Sequence, residues 1–252
     1  MNLKVTGIII KESDLNESDK SIGILTAEQG IVYVIAKKSK LLKNRLGAML
    51  QLFSYGEFMV FHSRNAYLLN SCKIKEFFLP LRSNLEILSL AQYFCQLCIS
   101  LKPESYVSEE FLRVFLNCIF FLINNKIDIK MIKSIYELRS CSLCGYMPEL
   151  TSCSKCGIYK DENMKFSIES GRLFCEKCSK EGELISNSLL LALRHIIYSP
   201  VDKLFSFSLS ENILDKLSFI TEKYVSYHVS GDYKSLEFYK KLISYKDQFQ
   251  SI

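Results

Sequence analysis

The feature that most constrains this chain is a set of four cysteines, Cys153, Cys156, Cys175 and Cys178, spaced Cys-x2-Cys-x18-Cys-x2-Cys. Two tight turns that each present two thiolates satisfy a tetrahedral zinc site, and this spacing suits one. Gly157 follows Cys156 and permits the left-handed backbone that folds amides toward a thiolate. Residues 165–168 and 172–174 flank Glu169-Ser170-Gly171, a pattern for a hairpin that could deliver Cys175 to the metal. A zinc held by four thiolates is coordinatively closed, hence structural and not catalytic. A further pair, Cys141/Cys144, admits two readings. It continues the apolar face of a helix carrying Ile132, Ile135 and Leu138, which makes both thiols core residues. Alternatively it shares a site with Cys153/Cys156. Cys72, Cys95, Cys98 and Cys118 lie in apolar surroundings and are expected in the core.

Ten cysteines in 252 residues are too few for a disulfide-knit scaffold. The longest uncharged run, residues 87–101, falls short of the roughly 18–20 apolar residues of a membrane span. The start, Met1-Asn2-Leu3-Lys4, does not read as a signal peptide. The expectation is an intracellular, cytoplasmic protein, where paired cysteines bind metal in preference to forming disulfides.

Residues 3–79 read as β structure, with runs at 5–10, 22–26, 31–36, 58–61 and 66–74. Ala27-Glu28-Gln29-Gly30 is a hairpin turn between the second and third runs. Five strands in this length suggest a small barrel. Residues 41–52 are the exception, with Leu41, Leu42, Leu46, Met49 and Leu50 near helical spacing. A helix or irregular crossing between strands three and four is what a five-stranded oligonucleotide-binding (OB) barrel carries. From Pro80 the apolar period becomes helical. Leu85, Leu88, Ala91, Cys95 and Ile99 mark one helix, and Ser108 followed by Glu109-Glu110 reads as the start of the next. Residues 129–143, 186–197 and 210–227 supply three more. The expected fold is α+β: a β domain over residues 1–79, then a helical domain over 80–252 with a zinc-ribbon-like insert near 150–180.

Charge is uneven. Residues 1–79 hold eleven Lys/Arg against seven Asp/Glu, while residues 80–252 hold twenty-one against twenty. Lys37, Lys38, Lys40, Lys43 and Arg45 fall together without an acid among them. Such a run reads as a phosphate-binding segment or as a solvated loop of a basic protein. Loops that cradle nucleotide phosphates, Gly-x-x-x-x-Gly-Lys-Ser/Thr or Gly-x-Gly-x-x-Gly, are missing. His62, His195 and His228 are scattered, so nothing in the sequence argues for an enzyme.

Several segments together resemble the bacterial RecO family. They are Tyr136-Glu137-Leu138-Arg139 with Gly145-Tyr146-Met147-Pro148-Glu149-Leu150, and Phe166 through Cys175. Tyr224-Val225-Ser226-Tyr227-His228-Val229-Ser230-Gly231 with Lys234-Ser235-Leu236, and Lys37 through Gln51, complete the set. The family usually has apolar residues at the positions of Cys141 and Cys144, and Gly where this chain has Ser39. The resemblance implies an N-terminal OB barrel and a helical domain with one structural zinc. It implies a recombination mediator that binds single- and double-stranded DNA, anneals complementary strands and helps load RecA. Implied partners are RecR and the tail of the single-strand-binding protein, with RecF and RecA as further candidates. On this reading Lys37, Lys38, Lys40, Lys43 and Arg45 meet phosphates. Tyr33, Phe53 and Tyr55 are candidates for base stacking, with the barrel core as the competing assignment. The alternative function is a zinc-ribbon adaptor for protein contacts that binds nucleic acid only weakly.

Overall fold

The computed structural model describes residues 2–41, 46–63, 66–159 and 163–250, with side chains for all of these except 2 and 246–250. In chain order the elements are β1 (Asn2–Asp14), β2 (Lys20–Thr26), β3 (Gly30–Ala36), α1 (Leu46–Met49), β4 (Tyr55–His62), β5 (Tyr67–Glu76), α2 (Leu85–Leu101), α3 (Ser105–Asn124) and α4 (Ile129–Leu143). There follow β6 (Lys165–Ser167), β7 (Arg172–Phe174), β8 (Glu183–Leu184), α5 (Asn187–Tyr198), α6 (Glu211–His228) and α7 (Lys234–Gln250). Packing separates two units. One comprises Met1–Ile119 with Tyr233–Ile252, and the other Phe120–Asp232.

In the first unit β1–β5 close into a barrel in the order β1-β2-β3-β5-β4. All its pairings are antiparallel except the β3–β5 seam, where Val34 faces Tyr67 and Ile35 faces Leu68. This is the five-stranded OB-like barrel that the sequence suggests. Period-two burial fills it: Val32, Val34, Phe58, Val60 and Leu69 turn inward with Val5, Ile9, Ile22 and Ile24. Ile8 and Ile10 are buried as well, and α2 packs on β1, so this strand reads as a continuous apolar run. Within the same unit α2 packs against α7, with the Tyr93 and Tyr233 rings edge to face at 5.4 Å. Ser108 does not start α3. The helix begins one turn earlier, after Pro103-Glu104, and the Ser108 hydroxyl donates back to the Ser105 carbonyl at 2.9 Å.

The second unit is organised by α4. Its Lys133 and Glu137 side chains are buried, at 2% and 0% exposure. The Lys133 ammonium lies 2.9 Å from Glu137 Oε1 and 3.0 Å from Glu222 Oε2 on α6. The Thr221 hydroxyl donates to Glu137 at 2.7 Å. Arg139 donates to the carbonyls of Ile196 and Ile197, two of the acceptors that α5 leaves without helical partners at its C-terminal end. Among the described residues no helix is long and apolar enough to cross a membrane.

Candidate metal centre and nucleic-acid interface

The hairpin expected at residues 165–174 is present: β6 and β7 pair antiparallel through Lys165–Phe174, Phe166–Leu173 and Ser167–Arg172. Gly171 closes its turn at φ +68°, where an added Cβ would meet the Tyr224 hydroxyl at 3.0 Å. A third strand, the two-residue β8, pairs with β6 and was not legible in the sequence. The other knuckle closes through Gly157, whose N–H donates to the Cys153 carbonyl at 2.8 Å with φ +75°. The Ser154 N–H donates to the Leu173 carbonyl at 2.8 Å and ties this knuckle to β7.

These turns bring Cys153, Cys156, Cys175 and Cys178 together, with all four sulfurs within 4.8 Å of one another. Zinc–sulfur bonds of ~2.3 Å place tetrahedral sulfurs roughly 3.8 Å apart. The Cys156 and Cys175 sulfurs stand at 3.6 Å, near that spacing and far beyond a disulfide bond of about 2.05 Å. Burial opposes ionisation of Cys153, but N–H groups of Cys156, Cys175 and Lys155 outweigh it and pull its thiol down. Shared hydrogen bonds with Cys175 and Cys156 push the Cys178 thiol up. The set is soft, four-fold and supplied with thiolate-stabilising amides, so it could hold a metal ion.

Cys141 and Cys144 stand outside this group. Cys141 is buried at the end of α4, and burial, with Glu137 adding to it, pushes its thiol up. Cys95 and Cys118, also buried, are raised for the same first cause.

Several residues that hold the metal region were not identified from the sequence as anchors. Arg194 on α5 donates to the Leu150, Thr151 and Tyr159 carbonyls at 2.7, 2.8 and 3.3 Å, and its guanidinium covers the Tyr159 ring at 4.4 Å. On α6, the Tyr224 hydroxyl donates to the Tyr146 carbonyl at 3.1 Å, and His228 Nε2 bonds the Ile168 carbonyl at 2.9 Å. The only signal for these roles was the resemblance around Tyr224–His228.

In the barrel, Lys37, Lys38 and Lys40 lie in one turn directly after β3. Asp19, from the β1–β2 loop, accepts the Lys38 N–H at 2.7 Å, and that bond first of all holds its carboxyl below the usual range. Lys38 takes φ +54°, and the Ser39 hydroxyl donates back to the Ala36 carbonyl at 2.8 Å. The Lys40 ammonium pairs with Asp14 at 2.9 Å on the exposed surface. Lys37 has no ion-pair or hydrogen-bond partner among the described residues. Lys43 and Arg45 lie outside the described residues. Of the stacking candidates, Tyr33 is 46% exposed and Tyr55 half-buried. Phe53 takes the core assignment and not the stacking one: it is 2% exposed, on a backbone at φ +70°.

The model of the recombination protein O N-terminal domain matches residues 1–78, and that of its C-terminal domain matches residues 82–237. A DNA repair protein RecO of Acetivibrio thermocellus is 33% identical over 95% of this chain and 97% of its own length. The RecO proteins of Clostridium perfringens and Clostridium novyi are 30% and 26% identical, over 93% and 95% of this chain and 96% and 94% of theirs. With both halves matched in order, on a barrel and a helical region bearing a four-thiol cluster, the chain belongs to the RecO family.

Proposed function

We propose that the protein is a DNA-binding mediator of recombinational repair, which holds two complementary strands together and helps RecA replace the single-strand-binding protein. The observation that carries this reading is the match of both RecO family models across nearly the whole chain. Annealing needs no covalent chemistry. Cations neutralise phosphates, release counterions and lower the repulsion between strands. The basic turn supplies Lys37, Lys38 and Lys40, with Lys43 and Arg45 next in sequence. Residues 1–79 take the nucleic acid, and residues 80–252 carry the zinc and meet RecR, the tail of the single-strand-binding protein, RecA and, where it is used, RecF. The place of work is the cytoplasm, at the nucleoid.

The ion at Cys153, Cys156, Cys175 and Cys178 is one structural Zn2+ per chain. When bound it supplies folding free energy to the two knuckles and no reaction chemistry.

A second reading, the zinc-ribbon adaptor, draws on a groove of about 560 Å3 in the second unit. Glu169, Glu181 and Glu183, with Lys223, line it beside exposed Phe219 and Tyr227, a mixed, mainly acidic and aromatic surface that suits protein contact better than phosphate. A strand-annealing assay separates the two: the mediator accelerates pairing of complementary oligonucleotides and the adaptor does not. Its companion is the salt slope of single-strand affinity. Neutralising Lys37, Lys38, Lys40, Lys43 and Arg45 should flatten that slope by about 3.5, roughly 0.7 per phosphate contact. An unchanged slope would place the DNA elsewhere.

A further inference from the structure

The outer wall of the barrel carries a cavity of about 320 Å3 lined by Lys37, Phe61, Leu68, Leu69 and Asn70. Its place follows from strand register. β3 pairs in parallel with β5 only at Val34–Tyr67 and Ile35–Leu68, and ends at Ala36. β5 runs on to Glu76, so its edge beyond Leu68 has no β3 partner and the basic turn lies there instead. Phe61 pairs with Leu68 across β4 and β5, which sets both side chains on one face. Leu69 turns into the core, and Asn70, the extra residue of an irregularity between the Leu69 and Ser71 pairs, is exposed.

The cavity therefore has an apolar wall, a polar end and a cationic rim. The Phe61 ring is 42% exposed. The Asn70 amide, both donor and acceptor, makes no hydrogen bond among the described residues, and neither does the Lys37 ammonium. Lys38 and Lys40 follow Lys37 in the same turn, with Lys40 held by Asp14. A flat apolar face beside an unused amide, edged by cations, suits the unit of a polyanion that is itself flat and rich in donors and acceptors.

We infer that this cavity receives one unstacked nucleobase of single-stranded DNA, its face against Phe61 and Leu68, its edge toward the Asn70 amide, and its phosphate at Lys37. The inference rests on the proposed DNA-binding function. Stacking tolerates every base because every base has a π face, and an amide can turn to meet either a donor or an acceptor. The site therefore favours single strands without selecting sequence, since a duplex keeps its base faces covered.

The chain contains no tryptophan, so Phe61→Trp places a single indole at the cavity. The full chain is titrated with a thymidine strand of about ten nucleotides, within the ~4–16 that one OB fold covers, and with an abasic strand of equal phosphate count. The unmodified protein should prefer the thymidine strand by about 5- to 150-fold, the span of one base on an aromatic ring. Phe61→Trp should keep the preference, with emission quenched by the thymidine strand only. Phe61→Ala should bind both strands nearly alike with its salt slope unchanged; the exposed ring makes unfolding an unexpected result, and the Trp variant controls for it. Equal binding of both strands by the unmodified protein, preference retained by Phe61→Ala, or emission indifferent to the thymidine strand would each overturn the nucleobase site while leaving phosphate binding intact. Binding of neither strand would overturn the DNA-binding reading itself.

Discussion

Lys133→Met tests whether the buried charges of α4 act as one unit. The ammonium sits between Glu137 and Glu222 at 2.9 and 3.0 Å, and the Lys133 and Glu137 side chains are almost wholly removed from water. Taking away the ammonium leaves the Glu137 carboxylate buried without its cation, with the Thr221 hydroxyl among its hydrogen-bond donors. Breaking a buried pair in this way costs about 3–5 kcal/mol. In a unit of this size that lowers the thermal midpoint by roughly 10–20 °C. Replacing both partners, Lys133→Met with Glu137→Leu, removes the uncompensated charge and should return stability to within about 1–2 kcal/mol of the original, or exceed it. Lys130–Asp215 also bridges α4 and α6, at 2.5 Å, but with side chains 38% and 52% exposed. Lys130→Met should therefore cost no more than about 1 kcal/mol. Urea and thermal unfolding followed by circular dichroism decide the matter. A Lys133→Met protein within about 1 kcal/mol of the original, or a double variant as unstable as the single, would refute the reasoning.

Cys141→Leu with Cys144→Leu should keep a full equivalent of zinc, with a cost from overpacking of at most about 1–3 kcal/mol, whereas Cys175→Ser with Cys178→Ser should lose the metal; elemental analysis of both proteins reads the difference. Glu57 links β4 to β1 and β5 through Lys4 and Lys75 at 3.0 and 2.9 Å. The hydrogen bond from Lys75, then that from Lys4, holds its carboxyl down at about 2 against an ordinary 4.5. Because the folded value is the lower one, the stabilisation is present above pH 4.5 and is lost as pH falls toward 2, so Glu57→Gln should flatten the decline of the melting temperature across that window. Asp14→Asn frees Lys40 from an exposed ion pair worth about 0–1 kcal/mol, so single-strand affinity at low salt should rise by up to about five-fold; a fall in affinity would count against Lys40 as a phosphate contact.

The barrel was legible because its strands alternate: Val32, Val34, Phe58 and Val60 point inward on a two-residue period that survives in the bare sequence. α7 was not anticipated, although Leu236, Tyr239 and Leu242 recur at helical spacing beyond Gly231. Its three polar or charged residues for every two apolar ones blur that signal, and only packing on α2 buries Leu236 and Tyr239. Lys133 and Glu137 mislead in the opposite sense. Spaced four apart on a helix, they look like a solvated pair, and their burial depends on Glu222 and Thr221 from a helix far along the chain.

The two candidate sites differ in legibility for a physical reason. The thiol cluster is encoded by local spacing: each Cys-x2-Cys turn places two sulfurs by itself, and only the meeting of the two turns depends on the fold. The basic turn is encoded as composition, which counts cations but not their partners. Lys40 is claimed by Asp14 across the mouth of the β1–β2 loop, and the Lys38 backbone by Asp19 from that same loop, so two acids distant in sequence set the geometry of a run that contains none. The adjoining cavity is further still from the sequence, because it exists only where a seven-residue β3 ends beside a ten-residue β5. A strand register fixes it, and register is set by pairing between segments thirty residues apart, with the residues that matter most, Phe61 and Asn70, looking in sequence like any outward positions of a half-buried strand.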